Sequence, residues 1–354
     1  MDKIDAVLSR FPQYTYDSEN KTYACKHCAL AGAKVGGYNV KLGGKIGLNF
    51  HMILNDKSLK TAGQSYMKFT WGSNDEKNTT TLTDINSLET TTIDGITYYI
   101  FPCEVAAKEM TDTITAEFYT KIDGNDVVIE TNSYSVKDYA DKIITENAYT
   151  DAAKSLVKVM LYYGAYAQQH FNYNTEKLAN DRIIFTEKEI EAGKGIATKD
   201  KVKEALTSEE YNITLPKDST FIKYIGSSLI LLSDTTMRIY FELLDGTDID
   251  KVTFTGVSNP TEYSANGKTY YYVDVVGIKP NSLNENIDIT AQLSSGTDSY
   301  VVTINPMYYV KEMLNKNTTE TEERLTDLSK LLCALYSYHN ETVEYLKPTE
   351  SSNN

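Results

Sequence analysis

Hydrophobic and polar residues alternate along residues 46–54, where Ile46, Leu48, Phe50 and Met52 take every second position. A period of two predicts a half-buried strand. The pattern returns at Met237, Ile239, Phe241 and Leu243. Next in the first half comes Met67-Lys68-Phe69-Thr70-Trp71-Gly72, matched by Val252-Thr253-Phe254-Thr255-Gly256. Gly95-Ile96-Thr97-Tyr98-Tyr99-Ile100 is then matched by Gly267-Lys268-Thr269-Tyr270-Tyr271-Tyr272, and residues 113–118 by 288–293.

Helical spacing follows the strands in both halves. Val136, Tyr139, Ala140 and Ile143 form one stripe, with Ser135 and Asp138 placed as N-cap and third residue. Asn305 is placed to cap a second helix, Pro306 suits its first position, and Tyr309, Val310 and Met313 form its stripe. A longer helix over 152–171 carries Leu156, Val159, Met160, Tyr163, Gly164, Ala167 and Phe171 on one face, and residues 156–160 align with 328–332. The offset drifts from 191 residues (Phe50 to Phe241) to 172 (Leu156 to Leu328), as loop insertions would cause. Six blocks in the same order argue for a duplication.

The fold expected is α+β: two tandem copies of an antiparallel β-sandwich (Ig-like) module, each ending in two α-helices, joined by a partly helical connector. The divisions are an N-terminal hairpin at 1–34, module one at 35–175, the connector at 176–218, module two at 219–348 and a tail at 349–354. Asp123-Gly124-Asn125 reads as a hairpin turn, Gly193-Lys194-Gly195 as a break and Pro216 as a stop.

Charge narrows the function classes. The 354 residues hold 35 basic and 49 acidic side chains, a net of -14, which repels phosphate backbones and anionic lipid. No nucleic-acid partner and no membrane insertion are expected, since no apolar run approaches a spanning length. Met1-Asp2-Lys3-Ile4-Asp5 opens a polar segment without the apolar centre of a signal peptide, and no sorting motif stands near Ser351-Ser352-Asn353-Asn354. The expectation is a monomeric piece of an exported protein whose signal and anchor lie elsewhere.

Candidate chemistry is sparse. Cys25-Lys26-His27-Cys28 has the spacing of half a zinc knuckle. It reads either as a structural turn with or without a local disulfide, or as zinc held by Cys25, Cys28 and His27 or another chain. Cys103 and Cys333 sit in apolar patterns and read as core thiols. The histidines His51, His170 and His339 lack a nucleophile motif and read as surface or half-buried residues. Glu104, Glu109, Asp112 and Glu117 cluster in sequence, but a glycosidase needs two carboxylates facing across a cleft. Asp123-Gly124-Asn125-Asp126 lacks the later Glu of a calcium loop, and the glycines at 36–37 and 43–44 precede no helix that could hold phosphate. A non-enzymatic protein is expected.

Tyrosine is the remaining signal: 28 Tyr against one Trp. Tyr162 and Tyr166 form a stripe beside the apolar face of their helix. Together with the strand residues Tyr98 and Tyr99 they are the candidate ligand contacts, because tyrosine offers large contact area at low entropic cost.

Four strings carry a resemblance: residues 40–50, Cys103-Glu104-Val105-Ala106-Ala107-Lys108-Glu109-Met110-Thr111-Asp112, Tyr134-Ser135-Val136-Lys137-Asp138-Tyr139-Ala140 and Tyr162-Tyr163-Gly164-Ala165-Tyr166-Ala167-Gln168. Over roughly residues 35–180 the chain resembles repeated modules of large cell-surface proteins from gut Clostridia, which are Firmicutes. The Cys25–Cys28 hairpin resembles the last turn of small Cys-pair repeats that often precede such modules. The resemblance implies a cell-surface location and an adhesion or binding role toward a host protein, such as immunoglobulin or mucin, or a glycan. A structural spacer and a glycan-active enzyme are the alternatives.

Overall fold

The computed structural model describes residues 14–17, 22–25, 32–72, 77–208, 211–215, 219–244, 246–294 and 298–347. His27, Cys28, Pro216 and the tail at 349–354 lie outside the described residues, as does the Cys25 side chain. Among the described residues, the first half opens with a hairpin of β1 (Tyr14–Asp17) and β2 (Thr22–Cys25). Eight strands follow: β3 (Ala33–Val40), β4 (Gly47–Leu54), β5 (Ser65–Gly72), β6 (Lys77–Leu82), β7 (Thr90–Ile93), β8 (Ile96–Glu104), β9 (Ile114–Ile122) and β10 (Asn125–Tyr134). Then come helices α1 (Val136–Thr145) and α2 (Asp151–His170), and the short α3 (Glu187–Glu191) and α4 (Lys199–Ala205).

The second half holds β11 (Ile222–Ile230), β12 (Thr236–Leu243), β13 (Val252–Thr255), β14 (Thr261–Ala265), β15 (Lys268–Val275), β16 (Ile287–Leu293) and β17 (Ser299–Ile304). It ends in α5 (Pro306–Lys316) and α6 (Asp327–Leu346). The protein is thus α+β, and its strand pairings are antiparallel. The four larger sheets run β3-β4-β8-β7, β10-β9-β5-β6, β11-β12-β15-β14 and β13-β16-β17.

Local chemistry accounts for these elements. Asp94-Gly95 joins β7 to β8 and Asn266-Gly267 joins β14 to β15, with positive φ at both residues of each turn. Asp123-Gly124 closes β9–β10 in the same way. Such two-residue turns match the right-handed twist of paired strands. Ser135 accepts the Asp138 amide at 3.0 Å and Asn305 accepts the Met307 amide at 2.9 Å, capping α1 and α5. The expected helix in the connector is α4, capped by Thr198.

By contact density the chain separates into two compact units. The first comprises Met1–Lys41, Gly47–Glu104 and Asp112–Tyr139. Its core is set by alternation: Leu48, Phe50 and Met52 of β4 are fully buried, as are Met67 and Phe69 of β5. Ring contacts join its two sheets, Phe50 to Phe69 at 5.4 Å and Phe101 to Phe118 at 5.8 Å. Burying each such side chain contributes about 1.5–3 kcal/mol.

The second unit comprises Leu42–Ile46, Val105–Thr111 and Ala140–Asn354. Met237, Ile239 and Phe241 of β12 are fully buried, and Phe241 meets Phe254 of β13 at 5.4 Å. The same unit contains α2 and α6. Their buried faces meet at Tyr163 and Tyr338, stacked at 5.6 Å with planes 22° apart. Both helices are 20 residues long and start from threonine caps, Thr150 and Thr326, whose hydroxyls accept the third amide of the turn. The two caps stand 176 residues apart, four more than the 172 that separate Leu156 from Leu328. A four-residue slip is about one helical turn, so the apolar stripe alone does not distinguish the two registers.

Candidate binding face

In the second unit, the register of β12 and β15 pairs Tyr240 with Tyr272 and Arg238 with Asp274. Tyr263 of β14 stands opposite Tyr270. Phe241, Ile239 and Val273 take the buried side, so Arg238, Tyr240, Tyr263, Tyr270, Tyr272 and Asp274 share the other face. The Tyr240 ring lies 5.6 Å from Tyr263 and 5.9 Å from Tyr272. Tyr263 is 46% exposed. Gly226 of β11 pairs with Tyr240, and a side chain there would meet open space, so the tyrosine is not walled in from that edge.

Arg238 completes the face. Its Nε and an Nη each donate to Asp274 at 2.8 Å, a bidentate pair. The guanidinium carbon sits 3.7 Å from the Tyr272 ring centroid. Asp274, by hydrogen bond first and charge second, raises the Arg238 pKa further above its ordinary value. Asp274 is itself anchored: its amide donates to the Ser258 hydroxyl at 2.8 Å. The result is a rigid planar cation laid on an aromatic plane beside three more tyrosines. Glu242 and Lys268 extend the same face with an ion pair at 3.0 Å. This arrangement can offer π faces and hydroxyls to a ligand.

The sequence-derived candidates fall in two places. Tyr98 and Tyr99 are neighbours on β8, so they point to opposite faces of its sheet. Tyr98 lies over Gly36 and edge-on to His51 at 6.4 Å, and His51 Nε2 is 2.6 Å from the Asn39 side-chain oxygen. Tyr99 accepts a hydrogen bond from Lys60 at 3.0 Å. Tyr162 and Tyr166 do come together, edge to face at 6.0 Å. Tyr162 donates to the Ile183 carbonyl at 2.9 Å and packs on Phe185 at 5.5 Å. Burial raises both hydroxyl pKa values.

The other residues singled out by sequence have defined surroundings. Cys103 and Cys333 are buried, and burial pushes the Cys333 thiol up to about 12, so it stays protonated at neutral pH. His339 is neither on the surface nor half-buried, as its sequence suggested, but 4% exposed, with Nδ1 2.6 Å from the Pro280 carbonyl oxygen. Glu104 pairs with Lys41 at 2.8 Å, Glu109 accepts the Ala106 amide at 2.9 Å, and Glu117 accepts the Tyr119 hydroxyl at 3.0 Å. Among the described residues, no three His, Cys, Asp or Glu side chains gather as a metal site, and no helix is long and apolar enough to cross a membrane.

Sequence reasoning passed over Tyr240, Tyr263 and Tyr272. The signal was present in the alternation: Tyr240 occupies the polar phase of the Met237–Ile239–Phe241 strand. Fold and face together define an α+β protein of mostly antiparallel sheets bearing a tyrosine-rich surface. No protein-family model matches the chain, and no match to it is found among curated proteins.

Proposed function

We propose that this chain is an extracellular, non-catalytic adhesion module of a bacterial surface protein, one that holds a host glycoprotein, such as mucin, or a glycan. The observation that carries the reading is the cluster of exposed Tyr263 with half-buried Tyr240 and Tyr272, and Arg238 clamped on Tyr272. Tyrosine and arginine concentrate at interaction surfaces because they combine large, stiff contact area with polar ends. The C–H face of a sugar ring, slightly positive, complements the negative face of an aromatic ring.

The scaffold is proposed to be a tandem pair of Ig-like sandwiches with helical ends. In support, the strand order β3-β4-β8-β7 corresponds to β11-β12-β15-β14, and β10-β9-β5 to β17-β16-β13. The first edge strand is bulged at Val35/Gly37 in one half and Tyr224/Gly226 in the other.

The test is retention of the full chain on immobilised mucin, immunoglobulin and a glycan array, beside a Tyr240→Ala/Tyr263→Ala variant. Saturable binding weakened about tenfold or more in the variant, at unchanged thermal stability, is expected. Absence of any partner for a well-folded chain would leave the spacer reading in its place.

A further inference from the structure

A second surface of the same unit, sharing no residue with the tyrosine face, forms a cleft of about 420 Å3 between the segment at 185–201 and α6. That volume is within the range of small-molecule sites, roughly 300–1,000 Å3. Its walls are fixed. The Ala197 amide donates to Ser337 Oγ at 2.8 Å, and Lys194 reaches both Glu341 oxygens at 2.9 and 3.1 Å. Gly193 and Gly195 hold positive φ, which lets the chain turn back on itself at this point.

The lining is divided by chemistry. Phe185, Ile190 and Ile196 form an apolar side, and Ile190 is left 60% exposed. On the polar side stand Lys201 and Asn340, both exposed. Neither the Lys201 ammonium nor the Asn340 amide has a side-chain partner among the described residues, whereas Lys194 is already neutralised by Glu341. An unpaired cation and an unpaired amide beside an apolar wall complement a molecule with an apolar body and an anionic acceptor.

We infer that this cleft binds a small amphipathic carboxylate, its acid group on Lys201 and Asn340 and its body against Phe185 and Ile190. A sugar acid and an aromatic acid share that chemistry, and the test separates them.

The full chain is titrated by calorimetry with sodium glucuronate and sodium phenylacetate, and in parallel with their uncharged analogues glucose and phenylacetamide. Lys201→Glu and Asn340→Trp variants are titrated alongside; both positions are exposed, and a melting curve verifies that the fold is kept. The expected result is saturable binding of at least one acid, with about tenfold or greater loss in its neutral analogue and in Lys201→Glu. Asn340→Trp should block the same ligand by bulk. Glucuronate alone marks a sugar-acid site, and phenylacetate alone an aromatic-acid site. Equal binding of acid and neutral analogue, no saturable binding of either acid, or binding indifferent to Lys201→Glu in a folded variant would overturn the inference.

Discussion

Phe50 and Phe69 meet with ring centroids 5.4 Å apart and planes inclined at 43°, while Phe241 and Phe254 meet at 5.4 Å and 46°. Phe50 lies on β4 and Phe241 on β12, two residues out of step once the bulges of β3 and β11 are aligned, so that Phe241 stands where β4 has Met52; Phe69 and Phe254 lie on β5 and β13. In each unit a phenylalanine pair ties two neighbouring sheets. Phe50, Phe69 and Phe241 are fully buried. Phe50→Ala and Phe241→Ala should each cost about 3–5 kcal/mol through lost transfer energy and the cavity left behind. Denaturant melts read by near-UV dichroism check this; losses under about 1 kcal/mol would contradict the packing described.

The Arg238–Asp274 pair is expected to matter for geometry more than for stability. Its side chains are partly exposed, at 25% and 17%, so removing the pair should cost about 1 kcal/mol or less. Arg238→Lys keeps the charge but loses the two-pronged contact and the flat overlay on Tyr272. Ligand retention should fall while the melting temperature stays close to wild type. Equal retention by the lysine variant would remove Arg238 from the binding face.

Gly164 lies inside α2, where alanine alone would gain about 1 kcal/mol of helix propensity. A Cβ there would sit 2.7 Å from Met110 Sδ and 3.0 Å from the Ala107 carbonyl oxygen. The backbone contact gives little, so Gly164→Ala should lower stability by about 1–3 kcal/mol despite the propensity gain. A thermal melt decides the sign.

His339 is a buried imidazole whose surroundings act on its proton. Burial lowers its pKa below the ordinary 6.5, outweighing the Pro280 carbonyl and Glu285, which raise it. The unfolded chain then takes the proton first as pH falls, so the stability tied to neutral His339 is complete above 6.5 and is lost below it, toward the lowered folded value. His51 is lowered by burial as well and acts in the same direction. Stability measured from about pH 7.5 down to 5 should decline, and His339→Gln should flatten that decline. An unchanged slope in the variant would assign the effect to other groups.

Much of this architecture was legible in residue order because its causes are local. Alternation at Leu48, Phe50 and Met52, the Asp123-Gly124 turn and the caps Ser135 and Asn305 act over a few residues, and each marks its element. Reach is what separates them from the rest. For α2 and α6 the apolar stripes alone admit alignments one turn apart, because stripes repeat every turn, whereas the cap threonines mark each helix start singly.

The tyrosines divide along the same line. Alternation is enough to place Tyr240 in the outward phase of its strand and Tyr98 and Tyr99 on opposite faces of theirs, although the sequence reading names only the latter pair, and together. What only the tertiary structure decided is which strands became neighbours. β15 pairs with β12 through hydrogen bonds between residues far apart in the chain and carries β14 with it through their hairpin, which brings Tyr263 and Tyr272 to Tyr240 and sets Arg238 against Asp274. A strand's own pattern specifies its faces but not its partners, because pairing is a competition among all available edges, resolved by burial of the whole sheet.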